Sequence, residues 1–201
     1  QELEGVGVTI SSVQARIARE RFAALNSAGS LRCVEGDFLE AQTFAGIEPG
    51  HALFTIEAFV HSSSPERFFE AAARIVRPGG LVIVCDDFLS DRASGALRAR
   101  ERRWIEEFRH GWVAPSAVTS SEASRVAESA GFALEKSVDL TPFLELRRLR
   151  DRALSLAIAL ARPLPLRGYR WRSLVGGNAL QLALVNGVIE HRYMVWRRHG
   201  S

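Results

Sequence analysis

The 201-residue chain is poor in sulfur and in one kind of base: it has two cysteines, one methionine, and Lys136 as its single lysine. Cys33 and Cys85 both sit in apolar runs that read as strands, where a thiol acts as a small hydrophobe, so a disulfide framework is not expected. No charged start leads into an apolar stretch and a small-residue cleavage site, so nothing argues for secretion, and a cytoplasmic protein is expected. The longest apolar stretch, Ala153 to Ala161, falls well short of the roughly 20 residues that span a bilayer and reads as a buried or surface-lying helix, without stable membrane insertion. There is no internal repeat and no low-complexity tract.

What is present suits one soluble folded unit, with 47% apolar and 24% charged residues. The net charge of +3 is unevenly spread. From Thr141 onward, 11 arginines face Glu145, Asp151 and Glu190, giving +8, while 15 basic and 20 acidic residues give the first 140 positions −5. No nucleic-acid-binding motif accompanies this basic tail, so nucleic acid is not expected as a partner. Solvated helix faces, an acidic substrate or a lipid surface explain it more simply.

Strand and helix patterns alternate. Gly5 to Ile10 is a β-branched run followed by Ser11, a helix cap, and a helical pattern from Val13 to Leu25. Leu31 to Glu35 reads as a second strand closed by Gly36-Asp37, and Leu53 to Glu57 as a third. Ser63 or Ser64 caps a helix with Pro65 in its first turn that stops at Arg77-Pro78-Gly79-Gly80, and Leu81 to Cys85 reads as a central strand ended by Asp86 and Asp87. Helices are predicted around 96–108, 121–130, 143–161 and 174–185, and strands over 133–138 and 192–197. Such alternation predicts an α/β fold with a mostly parallel open sheet, whose ligands lie outside the carboxyl ends of the strands. The turns after Ile10, Glu35, Glu57 and Cys85 are therefore the places to search.

Three of those turns carry a resemblance: Gly7-Val8-Thr9-Ile10-Ser11 with Gln14; Gly36-Asp37-Phe38; and Ile56-Glu57-Ala58 continuing through His61 to Arg74-Ile75-Val76-Arg77-Pro78-Gly79-Gly80. Together they resemble the class I S-adenosylmethionine-dependent methyltransferases, within the group of cyclopropane fatty acid synthases, sterol and tocopherol methyltransferases and natural-product methyltransferases. The resemblance runs from about Gly5 to Phe88. It implies a Rossmann-like sheet, mostly parallel with an antiparallel terminal strand and flanked by helices. S-adenosyl-L-methionine is the implied cofactor, and a small, hydrophobic or natural-product molecule the implied acceptor.

By the same resemblance, Thr9, Ile10 and Gln14 contact the nucleoside part of the cofactor, Asp37 accepts from the adenine amino group, and Phe38 packs on the adenine edge. Ser11 and Asp37 also have plain structural readings, as a helix cap and a turn residue. Glu57 and His61 are the candidate catalytic bases, with Glu57 also a candidate cofactor contact; with Phe59 they are alternatively placed to stabilise a cation. Asp86, Asp87 and Phe88 are expected to end their strand facing the same crevice, within reach of substrate. No third ligand is spaced near the two aspartates, so no metal is expected. Trp104, Phe108, Trp112, Phe143 and Trp171 are candidate walls of an apolar pocket.

The family's glycine-rich turn after its first strand does not occur in the sequence; Gly5-Val6-Gly7 falls in the run that matches the second strand. The first strand and its turn are thus expected to belong to sequence ahead of residue 1, and the exposed sheet edge to be covered by a homo-oligomer or a partner. His51-Ala52 departs from the aspartate that many members carry near that point. Residues 1–140 are expected to form the methyltransferase core, N-terminally incomplete, and 141–201 a helical cover and the terminal strand of the same domain. Two other readings are a non-catalytic α/β module or inactive fragment derived from such an enzyme, and a nicotinamide-dependent oxidoreductase, which Thr9 fits poorly.

Overall fold

The structure is a computed structural model that describes residues 4–25 and 31–200. The chain forms two compact units, residues 1–49 and 50–201.

In the first unit, β1 (Gly5–Thr9) and β2 (Leu31–Glu35) pair in parallel from Gly5↔Leu31 to Thr9↔Glu35, joined through α1 (Ser12–Ala24). Ser11 is the N-cap of α1 and its hydroxyl accepts from the Gln14 N–H, satisfying one of the donors that a helix start leaves over. A backbone bond from Gly36 N–H to the Thr9 carbonyl (2.9 Å) holds the two strand ends together.

The second unit holds a four-stranded sheet in the order β3-β4-β6-β5: β3 (Gly50–Ile56), β4 (Val76–Leu89), β5 (Phe132–Asp139) and β6 (Ile189–Arg198). β3 and β4 are parallel, and β6 enters antiparallel between β4 and β5. This is the Rossmann-like arrangement with an antiparallel terminal strand. Among the described residues, β1 and β3 each lack a strand partner on one side.

Helices α2 (Pro65–Ile75), α3 (Ala99–Trp112), α4 (Ser120–Ser129), α5 (Leu149–Ala161) and α6 (Tyr169–Val185) complete this unit. Ser64 caps α2 by accepting from Arg67 N–H, with Pro65 at the first position, where its missing donor costs nothing. The cap of α4 is Thr119, whose hydroxyl accepts from Glu122 N–H at 3.0 Å. α2 buries Phe68, Phe69 and Ala72 against an aromatic core: Phe59 lies edge-on to Phe68 (5.0 Å) and stacks on Phe88 (5.4 Å), and Phe69 meets Trp196 at 5.2 Å.

Two expectations change. Arg77-Pro78-Gly79-Gly80 is an irregular part of β4 rather than a loop before it: Val76 pairs with Gly50 and Leu81 with Ala52, so the chain widens between those pairs. Gly79 there has φ +76°, and a side chain on Gly80 would strike the His51 carbonyl at 2.8 Å. β4 also does not end at Asp86-Asp87, because β6 pairs with it as far as Leu89. Phe88 and Phe59 are consequently core residues, with their rings occupied by each other, so neither serves a substrate or a cation.

Candidate functional site

The first cluster lies at the carboxyl ends of β1 and β2. Thr9 Oγ1 donates to Gln14 Oε1 (2.7 Å) and accepts from Ser11 N–H (3.2 Å), which orients Gln14 and leaves its amide nitrogen as a donor. Ile10 is exposed beside them. Asp37 Oδ1 accepts from Leu39 N–H (2.9 Å) and its carbonyl from Thr43 Oγ1 (2.6 Å). Asp37 is exposed next to the half-buried Phe38, and its Oδ2 has no donor among the described residues. An acceptor, an amide donor and an aromatic edge on neighbouring strand ends suit a nucleoside, so these residues fit the adenosyl part of the implied cofactor.

The second cluster lies in the sheet of the second unit. Glu57 follows β3 with φ +54°, a left-handed conformation that a side chain makes costly, and its N–H bonds to the Cys85 carbonyl at 3.0 Å. Asp87 and His191 are register partners across β4 and β6, and His191 Nδ1–H donates to Asp87 Oδ1 at 2.9 Å. Glu57 Oε1 is 3.7 Å from the same ring nitrogen, and His191 Nε2 faces Cys85 Sγ at 3.4 Å. Asp86 is fully buried, accepting from Val60 N–H at 3.3 Å and from Asp87 N–H at 2.8 Å.

Three carboxylates around one imidazole disturb one another. Burial, followed by the Asp87 and Asp86 charges, pushes Glu57 up to about 7 against the pull of His191 and His61. Burial pushes Asp86 up to about 6 despite its backbone donors. The hydrogen bond to Asp87 holds His191 above the ordinary imidazole range. Burial and then Glu57 raise the Cys85 thiol, which argues against a thiolate nucleophile here. Glu57 is thus a carboxyl poised to take up or release a proton near neutrality.

His61 stands apart from this trio: its Nδ1–H donates to the Val113 carbonyl (3.0 Å), leaving Nε2 free and exposed. Sequence spacing gave no third ligand near Asp86 and Asp87, whereas the fold sets Glu57 and His191 beside Asp87, with Asp86 outside the group. Donor atoms of Glu57, Asp87 and His191 lie within 4.8 Å of one another.

Residues 3–84 match the family model described as a methyltransferase domain, a stretch that includes β1, β2, β3 and both candidate turns up to His61. That match covers residues 3–84 alone, and over them the chain is similar to methyltransferase domains. In fold, the chain is similar to a candidate sarcosine dimethylglycine methyltransferase from Galdieria sulphuraria (TM-score 0.70, 15% identity, 98% of this chain and 70% of that one). It is similar also to the geranyl diphosphate C-methyltransferase of Streptomyces coelicolor A3(2), solved with Mg2+, geranyl diphosphate and S-adenosyl-L-homocysteine (0.69, 16%, 98% and 64%). A third is a cyclopropane synthase from Mycobacterium tuberculosis (0.68, 18%, 97% and 70%). The chain spans 64 to 70% of the length of these three proteins.

A cavity of about 760 Å³ opens between α3, α5, α6 and the segment before α5. Of the aromatic residues expected to line a pocket, the fold places Trp112 and Phe143 in its wall. Phe108 is buried in the core, Trp104 packs against the same core under the Arg100 guanidinium (5.8 Å), and Trp171 is not part of the lining. Sequence reasoning missed His191, Asn178 and Asp151. His191 belongs to a recognisable strand, but no local signal pairs it with Asp87, which lies 104 residues earlier. No described helix is long and apolar enough to cross a membrane.

Proposed function

We propose that this domain transfers the methyl group of S-adenosylmethionine to a small hydrophobic, natural-product-like acceptor. The observation that carries the reading is that one family match runs through the nucleoside-type groups after β1 and β2 and on to Glu57 after β3, the carboxyl that Asp87, Asp86 and His191 crowd in space. Thr9, Ile10, Gln14, Asp37 and Phe38 are the residues we assign to the adenosyl part. When bound, the cofactor supplies an electrophilic methyl group on a sulfonium, so most of the acceleration comes from holding an acceptor in line.

On the protein side, Glu57 takes the proton that an O–H or N–H acceptor must lose, and its pKa of about 7 suits that task. His191, fixed by Asp87, stands 3.7 Å away and stabilises the carboxylate before the proton arrives. His61 Nε2 is the second candidate base. The two free thiols fit a cytoplasmic setting, and the strand sides of β1 and β3 without partners are where a second copy or another chain would add.

The test is calorimetric titration of S-adenosylhomocysteine into the folded chain, with NAD as the comparison ligand. Saturable binding of S-adenosylhomocysteine alone supports the reading. Binding of NAD alone would transfer it to an oxidoreductase, and binding of neither would leave this chain an inactive or non-catalytic module.

A further inference from the structure

The cavity beside α6 is apolar over most of its wall, and its charged lining is Arg148, Arg150 and Arg170 against Glu145 and Asp151. Trp112, Leu174, Leu180 and Leu184 form the apolar part. The first turns of both α5 and α6 open on the same space. Neither helix has a side-chain N-cap, and the backbone N–H groups of Leu149, Arg150, Tyr169 and Arg170 have no partner among the described residues. Each helix start carries roughly half a positive charge, so two of them on one cavity favour an anion.

The side chains agree. Arg148 is paired with Glu145 and Arg150 with Asp151, but Arg170 has no partner among the described residues. Independent of the helix ends, Asn178 in the wall is 5% exposed; its Oδ1 accepts from Ser155 Oγ (2.6 Å) and its amide nitrogen has no partner among the described residues. Asp151 Oδ2, also in the wall, is buried without a donor.

We infer that this cavity binds an amphiphilic organic acid: an apolar body against Trp112, Leu174, Leu180 and Leu184, and a carboxylate or phosphate at the first turns of α5 and α6 beside Arg170. Asn178 donates to the ligand through its amide nitrogen. The volume falls within the usual range for a single small organic ligand. Taking this occupant as the methyl acceptor rests on the function proposed above; its binding does not.

The experiment titrates the full chain with dodecanoate, dodecyl phosphate, dodecanol and dodecyltrimethylammonium, each below its micellar concentration, and with S-adenosylhomocysteine on the same preparation. The acids should bind one to one, about tenfold tighter than the alcohol or the ammonium, as expected for a charge-assisted contact. Dodecanoate and dodecyl phosphate decide between the two head groups. Arg170→Gln, at an exposed position, should weaken the acids severalfold and leave dodecanol unchanged. Equal affinity for the alcohol or the ammonium, no saturable binding, or attachment to anionic vesicles without binding of the monomeric acids would overturn the assignment. Acid binding without S-adenosylhomocysteine binding would instead remove the methyl-transfer reading and leave the cavity assignment standing.

Discussion

The wall of that cavity depends on a close helix crossing, which gives a sharp test of the structure. At the α3–α6 contact, a Cβ on Gly111 would lie 2.4 Å from the Arg172 carbonyl oxygen and 2.7 Å from Gly176 Cα, both backbone atoms that cannot swing away. Ordinary contact begins near 3.4 Å. Gly111→Ala therefore requires the helices to separate by about 1 Å, enough to forfeit a quarter to a half of the dispersion energy along the seam. Overpacking of this kind costs up to about 3 kcal/mol, and alanine returns about 1 kcal/mol of helix propensity. The net loss should be about 2 kcal/mol, or a melting temperature lower by about 4 to 8 °C for a chain of this size.

Gly177→Ala is the matched control, because its Cβ would meet Trp112 Nε1 at 3.4 Å, an ordinary contact, so the same substitution next door should be neutral or slightly stabilising. Thermal unfolding followed by circular dichroism reads both variants. If Gly111→Ala melts at or above the parent temperature, the close crossing, and with it the shape of the cavity wall, is wrong.

The other predictions concern the two clusters. Glu57→Gly should abolish methyl transfer yet stabilise the fold by about 1 kcal/mol in chemical denaturation, since glycine accepts φ +54° without strain; a less stable variant would remove the strain argument. Asp86 has its folded pKa raised to about 6 from 3.8, so its contribution is fully present at low pH and is lost as the pH rises through about 6. The stability of the parent relative to Asp86→Asn should accordingly fall by up to about 3 kcal/mol between pH 4 and pH 8, and a flat difference would refute the buried charge. Asp37→Ala should weaken S-adenosylhomocysteine binding about tenfold by calorimetry, the loss of one hydrogen bond in a half-open site; unchanged affinity would take Asp37 out of the site. His191→Asn removes a cation that lowers the Glu57 pKa, so the acid limb of the pH–rate profile should move above 7, whereas an unmoved limb would assign the base elsewhere.

Much of this protein can be read from short-range pattern, because helix caps, strand runs and turn glycines act over a few residues. Ser11 and Ser64 cap the helices where their spacing indicates, and the alternation of strand and helix is enough to expect the parallel β1–β2 and β3–β4 pairs. The positions of Thr9 at the end of β1, Gln14 in the first turn of α1, Asp37 after β2 and Glu57 after β3 follow from the same local runs. What tertiary structure alone decided is everything that β6 brings back to the sheet. Its pairing with β4 to Leu89 buries Asp86, sets His191 against Asp87 and Glu57, and turns Phe88 into core. The packing of α6 on α3 likewise makes a cavity of residues far apart in sequence. Charge crowding and cavity shape depend on distances through space, and these come from the register between strands and the closeness of helices, neither of which is written in any local window of the chain.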